Sequence, residues 1–327
     1  MKSFALAAIA GVAASLDVPA FEYVNYLAKF NKNYENETEF KMRFERFVET
    51  HEFIKKHNEQ ENPSYSAGHN QFSDWSYAEY KAMLGYRKPE NHTRTVATFN
   101  ETNSDGINWI DLGAVTPVKD QGQCGSCWAF SSTGSIEGAH FVATGELLSF
   151  SEQQLVDCAF YSYGYPNYAC YGGLQDYAYN YYETHNAELE SVYPYVSGTS
   201  YHRTTCAYNE SSATSVEVST YAAVTPESVS QMKAALEQQP LAVAIEADQY
   251  CFQTYSSGIF NNSACGTTLD HAVLVVGWGV ENGTEYWLMK NSWNTTWGDE
   301  GYMKLQITGD DAGVCGIQLD PEFPTTN

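Results

Sequence analysis

Apolar positions between Phe21 and Gln60 recur at threes and fours: Phe21, Val24, Tyr26, Leu27 and Phe30, then Phe40, Phe44, Phe47 and Ile54. Charges fill the gaps, so the spacing predicts two amphipathic helices with a break near "KNYENETEF". "NPSYSAGHNQFSDWSYAEYKAML" predicts a turn, a short extended piece, and a helix from about Ser76 capped by Ser or Asp. Residues 87–106 hold Pro, Gly, Asn and Thr with little apolar content, which predicts an exposed linker of the kind proteases cut. Beyond it, "SCWAFSSTGSIEGAHFVATGELLSF" keeps helical spacing through Phe130, Ile136, Ala139, His140 and Ala143, and "SEQQLVDC" reads as a second short helix. The pattern then changes. "LAVAIEA", "HAVLVVGWG", "EYWLMKNSW" and "GYMKLQI" are short, β-rich and separated by Gly and Asn turns. Helices first and sheet later imply an α+β unit.

Composition sharpens the division. With 43% apolar and 17% charged residues, the 327-residue chain is globular and long enough for more than one folding unit. "MKSFALAAIAGVAAS" has one Lys, an apolar stretch and small residues, and reads as a secretory signal over residues 1–15. No later apolar run is long enough to span a bilayer. Residues 1–102 carry 12 Lys+Arg against 14 Asp+Glu; residues 103–327 carry 5 against 26, a net of −21. Such a surface repels nucleic acid and anionic membranes; it suits an acidic compartment, or serves solubility alone. The shift marks a boundary near residue 102.

Eight cysteines in a secreted chain suggest disulfides. Two stand three apart in "QGQCGSCWAF". They could be a redox dithiol, half a zinc site, or an unequal pair. No second Cys-x-x-Cys follows for zinc, and no strand precedes the pair as a thioredoxin-like unit requires. Cys127 opens a helix, where backbone N–H groups and the helix dipole favour a thiolate; Cys124 lies before it. A thiolate needs a cationic partner. His271 begins an apolar strand that would hold its ring, and Asn291 offers an amide oxygen to orient it. Trp293 and Trp297 could shield that bond. The Gln121 amide and the Cys127 N–H would form an oxyanion hole.

"QGQCGSCWAF", "LDHAVLVVGWG" and "KNSWNTTWG" together resemble the three conserved blocks of the papain/cathepsin cysteine peptidases, the Cys signature and later His and Asn being that family's marker. The N-terminal region resembles the cathepsin L propeptide: Glu39, Arg43, Phe47, Thr50, Ile54 and Asn58 follow its helical motif, with Thr50 replacing an Asn. Gly68, Asn70, Phe72 and Asp74 follow its second motif. The resemblance implies a papain-like two-domain fold, a helical domain and a β-barrel-like one, over residues 103–327. It implies an inhibitory propeptide over 16–102. The implied chemistry is hydrolysis of peptide bonds by a cysteine endopeptidase with Cys127, His271, Asn291 and Gln121 as its catalytic set, made as a zymogen that matures in acid. The implied disulfides are Cys124–Cys170, Cys158–Cys206 and Cys265–Cys315, leaving Cys251 over. Gly172 and Gly173 match positions that pair with a substrate backbone, where a side chain would intrude. Ala244, Leu269, Ala272 and Asp320 match the pocket that sets specificity, and Trp293 joins the substrate-binding set. Asp320 at the pocket base would accept Arg as well as Leu or Phe; its plainer alternative is a solvated carboxylate.

The expected partners are peptide and protein substrates and the chain's own propeptide, acting on a monomer without cofactor, metal, nucleic acid or membrane insertion. The expected setting is the secretory pathway, ending in a lysosome, an acidic vacuole or outside the cell. Two rivals remain: a binding or storage relative that has lost catalysis, and a thiol oxidoreductase using Cys124 and Cys127. Asn294 stands where the family usually has Gly; Asn tolerates the left-handed turn. Glycosylation sequons lie at Asn36, Asn91, Asn100, Asn209, Asn261, Asn282 and Asn294.

Overall fold

The computed structural model describes residues 18–101 and 104–327, so the expected leader over 1–15 and the expected boundary at 102–103 lie outside the described residues. The described residues open with helices α1 (Val18–Lys29) and α2 (Glu37–Asn58), separated where the spacing breaks. Asn36 caps α2 by accepting the Glu39 N–H at 3.0 Å. Acidic residues in the first turn and Lys55, Lys56 and His57 in the last suit the helix dipole. The two helices bury Tyr23, Tyr26, Leu27 and Phe47 together. Phe21, expected on that face, is exposed; the buried stripe passes through Tyr23 instead. Strand β1 (Tyr65–Ala67) follows, then α3 (Tyr77–Ala82), which Ser76 and Glu79 start with a reciprocal capping box. The Asn58 amide exchanges hydrogen bonds of 2.8 and 3.0 Å with the Ala67 backbone, fixing α2 to β1.

The stretch expected as an exposed linker is largely exposed, and it is also pinned to the protein. Within it the Arg94 side chain is buried, and strand β2 (Val96–Ala97) pairs in parallel with β4 (Val218–Val224). Its cations meet buried carboxylates of the C-terminal unit, a partnership that hydropathy cannot register. Strand β3 (Ile107–Asn108) pairs with the middle of β7 (His271–Glu281).

Helix α4 (Cys127–Thr144) is the central strut of the molecule, buried on every side from Cys127 to His140. Small residues permit this. A Cβ on Gly138 would stand 2.7 Å from Pro240, and the hydroxyls of Ser132, Thr133 and Ser135 donate to helix carbonyls, so they enter the core satisfied. Gly145, at φ 78°, ends the helix in the left-handed conformation. Ala143 lies past the buried stretch and is exposed. Helices α5 (Glu152–Cys158) and α6 (Gln175–Tyr182) pack beside α4 around Trp128, Ile136, Phe150, Leu155 and Tyr179.

Facing them, the described residues form a ten-stranded sheet in the order β1-β6-β9-β8-β7-β5-β10-β4-β2, with β3 off this path on β7. The remaining strands are β5 (Leu241–Ile245), β6 (Tyr255–Phe260), β8 (Thr284–Lys290), β9 (Tyr302–Gln306) and β10 (Glu322–Thr326). The path has two ends, so the expected barrel-like domain is an open sheet. Both edge strands, β1 and β2, come from the N-terminal unit, which shields the hydrogen-bonding edges of β6 and β4.

Candidate active site

The two thiols of "CGSC" have separate fates. Cys124 is bonded to Cys170, and the other disulfides are Cys158–Cys206 and Cys265–Cys315, the pairing the resemblance implied. A Cys124–Cys127 dithiol and a zinc half-site are thereby removed. Cys127 is free, fully buried, and the first residue of α4. Ser126 gives this helix no side-chain cap. The second free thiol, Cys251, is buried in the core beside the sheet.

The strand β7 presents His271 from its first residue, entirely buried. Its Nε2 lies 2.8 Å from Asn291 Oδ1, which also accepts the Ser292 N–H at 2.8 Å. The amide oxygen therefore faces the ring and Nε2 carries the hydrogen. The other nitrogen, Nδ1, is buried without a hydrogen-bond partner. Trp293 stacks on the ring at 4.6 Å and covers it. Trp297, expected as a second cover, meets Trp293 edge-on instead of touching the ring. Gln121 is locked from both ends. Its Oε1 accepts from Ser292 Oγ at 2.7 Å and from Trp293 Nε1 at 3.1 Å, which turns its Nε2 toward the Cys127 loop.

The N-terminal unit fills this site. Gln121 Nε2 donates to the Met83 carbonyl at 2.9 Å, and the Gly85 N–H lies 3.3 Å from Cys127 Sγ. Gly85 is required there, because a Cβ would overlap the Gly125 carbonyl. The segment then forms an isolated parallel bridge between Tyr86 and Gly173: Gly173 N–H donates to Gly85 O at 2.8 Å, and Arg87 N–H donates to Gly173 O at 2.9 Å. Gly172, at φ 113°, and Gly173, pressed against Trp128, leave no room for side chains. Tyr86 packs with Ala244, Leu269, Ala272, Leu174 and Cys127, and its hydroxyl donates to the buried Asp320. Asp320 is thus buried beneath Tyr86 and is not a solvated carboxylate. Trp293 lies away from that pocket, against Phe72 and Tyr80 of the N-terminal unit.

Burial changes the electrostatics expected from the sequence. It pushes the Cys127 thiol up to about 11, although the backbone N–H groups of Ala272, Gly85 and Trp128 pull the other way. It pulls His271 down to about 4, against the raising effect of Asn291. Covered by the N-terminal unit, both members of the pair are held neutral; the helix-start effect is too small to offset full desolvation. Other members of this site gave no sequence signal. Tyr86 and Gly85 act through a cleft formed only by folding. Asp176 and Glu322 resemble ordinary acidic residues, yet both are buried beside Asp320. A faint hint was available: Asp176 follows Gly173 by three, and Glu322 follows Asp320 by two.

Comparison with known proteins supports the family resemblance. Residues 103–325 match the family "Papain family cysteine protease", and residues 23–80 match "Cathepsin propeptide inhibitor domain (I29)". The chain is 40% identical over 326 residues to "Digestive cysteine proteinase 1" of Homarus americanus, covering 96% of this chain and 97% of that one. It is 39% identical over 311 residues to "Probable cysteine protease RD21C" of Arabidopsis thaliana, covering 93% and 67%. It spans 60 to 67% of the length of three such plant proteins. Among solved structures, digestive procathepsin L 3 of Tenebrio molitor larval midgut superposes with a TM-score of 0.85 at 33% identity, covering 95% and 100%.

Proposed function

The chain belongs to the papain family of cysteine proteases, and from that premise we propose that it is a zymogen whose Cys127 performs endopeptidase chemistry once the N-terminal unit leaves. The observation that carries this is the Met83 carbonyl on Gln121 Nε2 with the Gly85 N–H on Cys127 Sγ: a backbone segment lies where a substrate's would. His271 Nδ1 is the one ring nitrogen free to accept the Cys127 proton. The transfer forms the imidazolium, whose Nε2–H stays on Asn291, and the thiolate adds to the substrate carbonyl carbon. The carbonyl electrons move to oxygen, where Gln121 Nε2 and the Cys127 N–H donate. Collapse breaks the C–N bond; the imidazolium gives its proton to the departing amine, leaving a thioester. Water, deprotonated by His271, adds to the thioester in turn and releases the acid and the thiol.

Residues 1–15 act as the leader, 16–102 as the inhibitory unit and 103–327 as the peptidase. The route is the secretory pathway toward an acidic compartment or the exterior. Asp320 favours basic residues in the pocket that Tyr86 now fills. Neutral Cys127 and His271 fit a resting state that gains its ion pair when solvent returns. The test is maturation of the purified full chain at pH 4.5 and pH 7, followed with an internally quenched peptide. Rapid processing and internal cleavage at pH 4.5 with slow processing at pH 7 is expected. Equal maturation rates would remove acid control from the account, and failure of the processed protein to cleave would remove the peptidase.

A further inference from the structure

The stretch that carries the oxyanion donors is tied down from outside the cleft. The Tyr195 hydroxyl donates to the Gln121 backbone carbonyl at 2.8 Å. Its one proton is used there, so Ser126 Oγ, 2.7 Å away, donates to it. Gln121 supplies the amide donor, and Ser126 immediately precedes the Cys127 N–H. Tyr195 thus grips both ends of this stretch without touching a reacting atom. Its ring meets Phe130 edge-on at 4.9 Å, and its backbone N–H donates to Glu190 Oε1 at 2.9 Å.

Behind Tyr195, three acids face one lysine. Lys119 Nζ donates to Glu137 Oε1 at 3.1 Å, to the Phe150 carbonyl at 3.0 Å and to Glu152 Oε1 at 2.6 Å, which engages all three of its protons. Thr133 Oγ1 also donates to Glu152 Oε1. Glu152 Oε2 and Glu190 Oε2 are left: both are buried, and no other residue gives them an N–H or O–H. The two carboxyls adjoin, and they line one hollow with Pro117, Asp120, Phe130 and Tyr195. The other charged and titratable groups packed around them have partners elsewhere. Glu137 of α4 accepts from Thr116 and the Phe150 N–H, Asp120 accepts the Gly122 N–H, and Tyr182 of α6 donates to Gln154. Lys290 of β8 donates to Thr116. Two ionised carboxylates side by side without a donor repel each other, whereas one proton held between them satisfies both oxygens. Burial first, then the charge of Glu152, lift the Glu190 carboxyl from 4.5 to about 7, against the pull of the Tyr195 N–H and Lys119.

We propose that Tyr195 is a positioning residue for the oxyanion donors, and that one proton shared by Glu152 and Glu190 keeps it in place. This rests on the peptidase reading above. When the proton leaves for solvent, the facing carboxylates repel, and Glu190 moves off the Tyr195 N–H that it anchors. The folded pair keeps a proton that the unfolded chain releases near pH 4.5. Its stabilising effect is therefore complete below that value and is lost as pH rises through about 7. All of these residues lie within 103–327, so departure of the N-terminal unit removes none of them. The matured protein thus has an upper pH limit of its own, separate from the acid release of the N-terminal unit.

The test uses protein matured from the full chain and a blocked peptide, between pH 6 and pH 7.5. This range lies below the pKa of Lys290, which burial lowers to about 8. Glu190→Gln keeps the acceptor for Tyr195 and gives Glu152 Oε2 a permanent N–H donor. The unsubstituted protein is expected to lose kcat at least about 3-fold across this range, and Glu190→Gln less than about 1.5-fold. Tyr195→Phe removes the hydroxyl. It should lower kcat about 10-fold at pH 6 with KM changed less than about 2-fold, and adding Glu190→Gln to it should shift the pH profile no further. Thermal unfolding of the full-length chain reads the pair without activity: between pH 5 and pH 8 the midpoint should fall further for the unsubstituted chain than for Glu190→Gln. A pH profile that Glu190→Gln leaves unmoved, or parallel unfolding curves, overturns the shared proton. An unchanged kcat in Tyr195→Phe overturns the positioning role. Loss of cleavage of every peptide by the unsubstituted protein, with the unfolding difference intact, overturns the peptidase reading instead.

Discussion

Single residues in this site are defined by what turns them as much as by what they are. Gln121 presents its Nε2 because Ser292 and Trp293 occupy its oxygen. Removing one oxyanion donor in a preorganised site costs about 10²–10³ in kcat. Gln121→Ala should therefore lower kcat of the matured protein by that order, with a small change in KM, measured by steady-state kinetics on a blocked peptide. A proportional rise in KM with kcat intact would mean that Gln121 serves binding instead. Cys127, His271, Asn291 and Gln121 were all legible in the sequence, since each stands in a short motif whose chemistry demands its residue type. Asp176, Glu322 and Arg94 were not. A buried charge cluster looks like any surface charge until the fold brings its members together across more than 200 residues.

At the scale of elements, the N-terminal unit has its own titrating joint. His69, leading out of β1, stacks on Phe47 of α2 at 4.3 Å, and its Nε2 lies 3.1 Å from His51 Nδ1. Tyr26 and Lys29 approach from α1, and Asp299 and Glu300 line the crevice opposite. Burial first, then the charges of His51 and Lys29, lower the His69 pKa from 6.5 to about 4. The unfolded unit thus binds more protons than the folded one between these values. The stability is complete above about pH 6.5 and is lost as pH falls toward 4, by at most ~3 kcal/mol. His69→Phe keeps the stack and removes the proton site. It should move the pH of half-maximal maturation downward by several tenths of a unit, read by gel densitometry across a pH series; an unmoved midpoint would exclude the joint. The elements themselves were well legible: α2, α3, α4, α5 and the strands β5, β7, β8 and β9 all follow period and punctuation. The pinned linker and the open sheet were not, because both depend on long-range pairing to strands of the other unit.

For the whole molecule, the uneven charge becomes an arrangement of ion pairs. Lys81 meets Asp248 at 3.1 Å, while Lys88 and Arg94 meet the acids beneath the cleft. Protonating such carboxylates weakens the hold of one unit on the other, and the neutral His271 loses its covered state in the same direction. Asp270 opposes them: burial raises its pKa to about 7, so acid favours its covered form. Burial raises Glu322 in the same way, so acid release requires the histidines and the other interface pairs to outweigh both acids.

The central claim is that Cys127 is the nucleophile and that the N-terminal unit conceals it. The most direct measurement is intact-mass and peptide mapping after exposure to an irreversible thiol reagent carrying a peptide arm, before and after maturation at pH 4.5. The account predicts no adduct on the full-length chain and one adduct, on Cys127, after maturation, with Cys251 unmodified and Cys124 still bonded to Cys170. Equal labelling before maturation, or an adduct on Cys124 or Cys251 in place of Cys127, would contradict it.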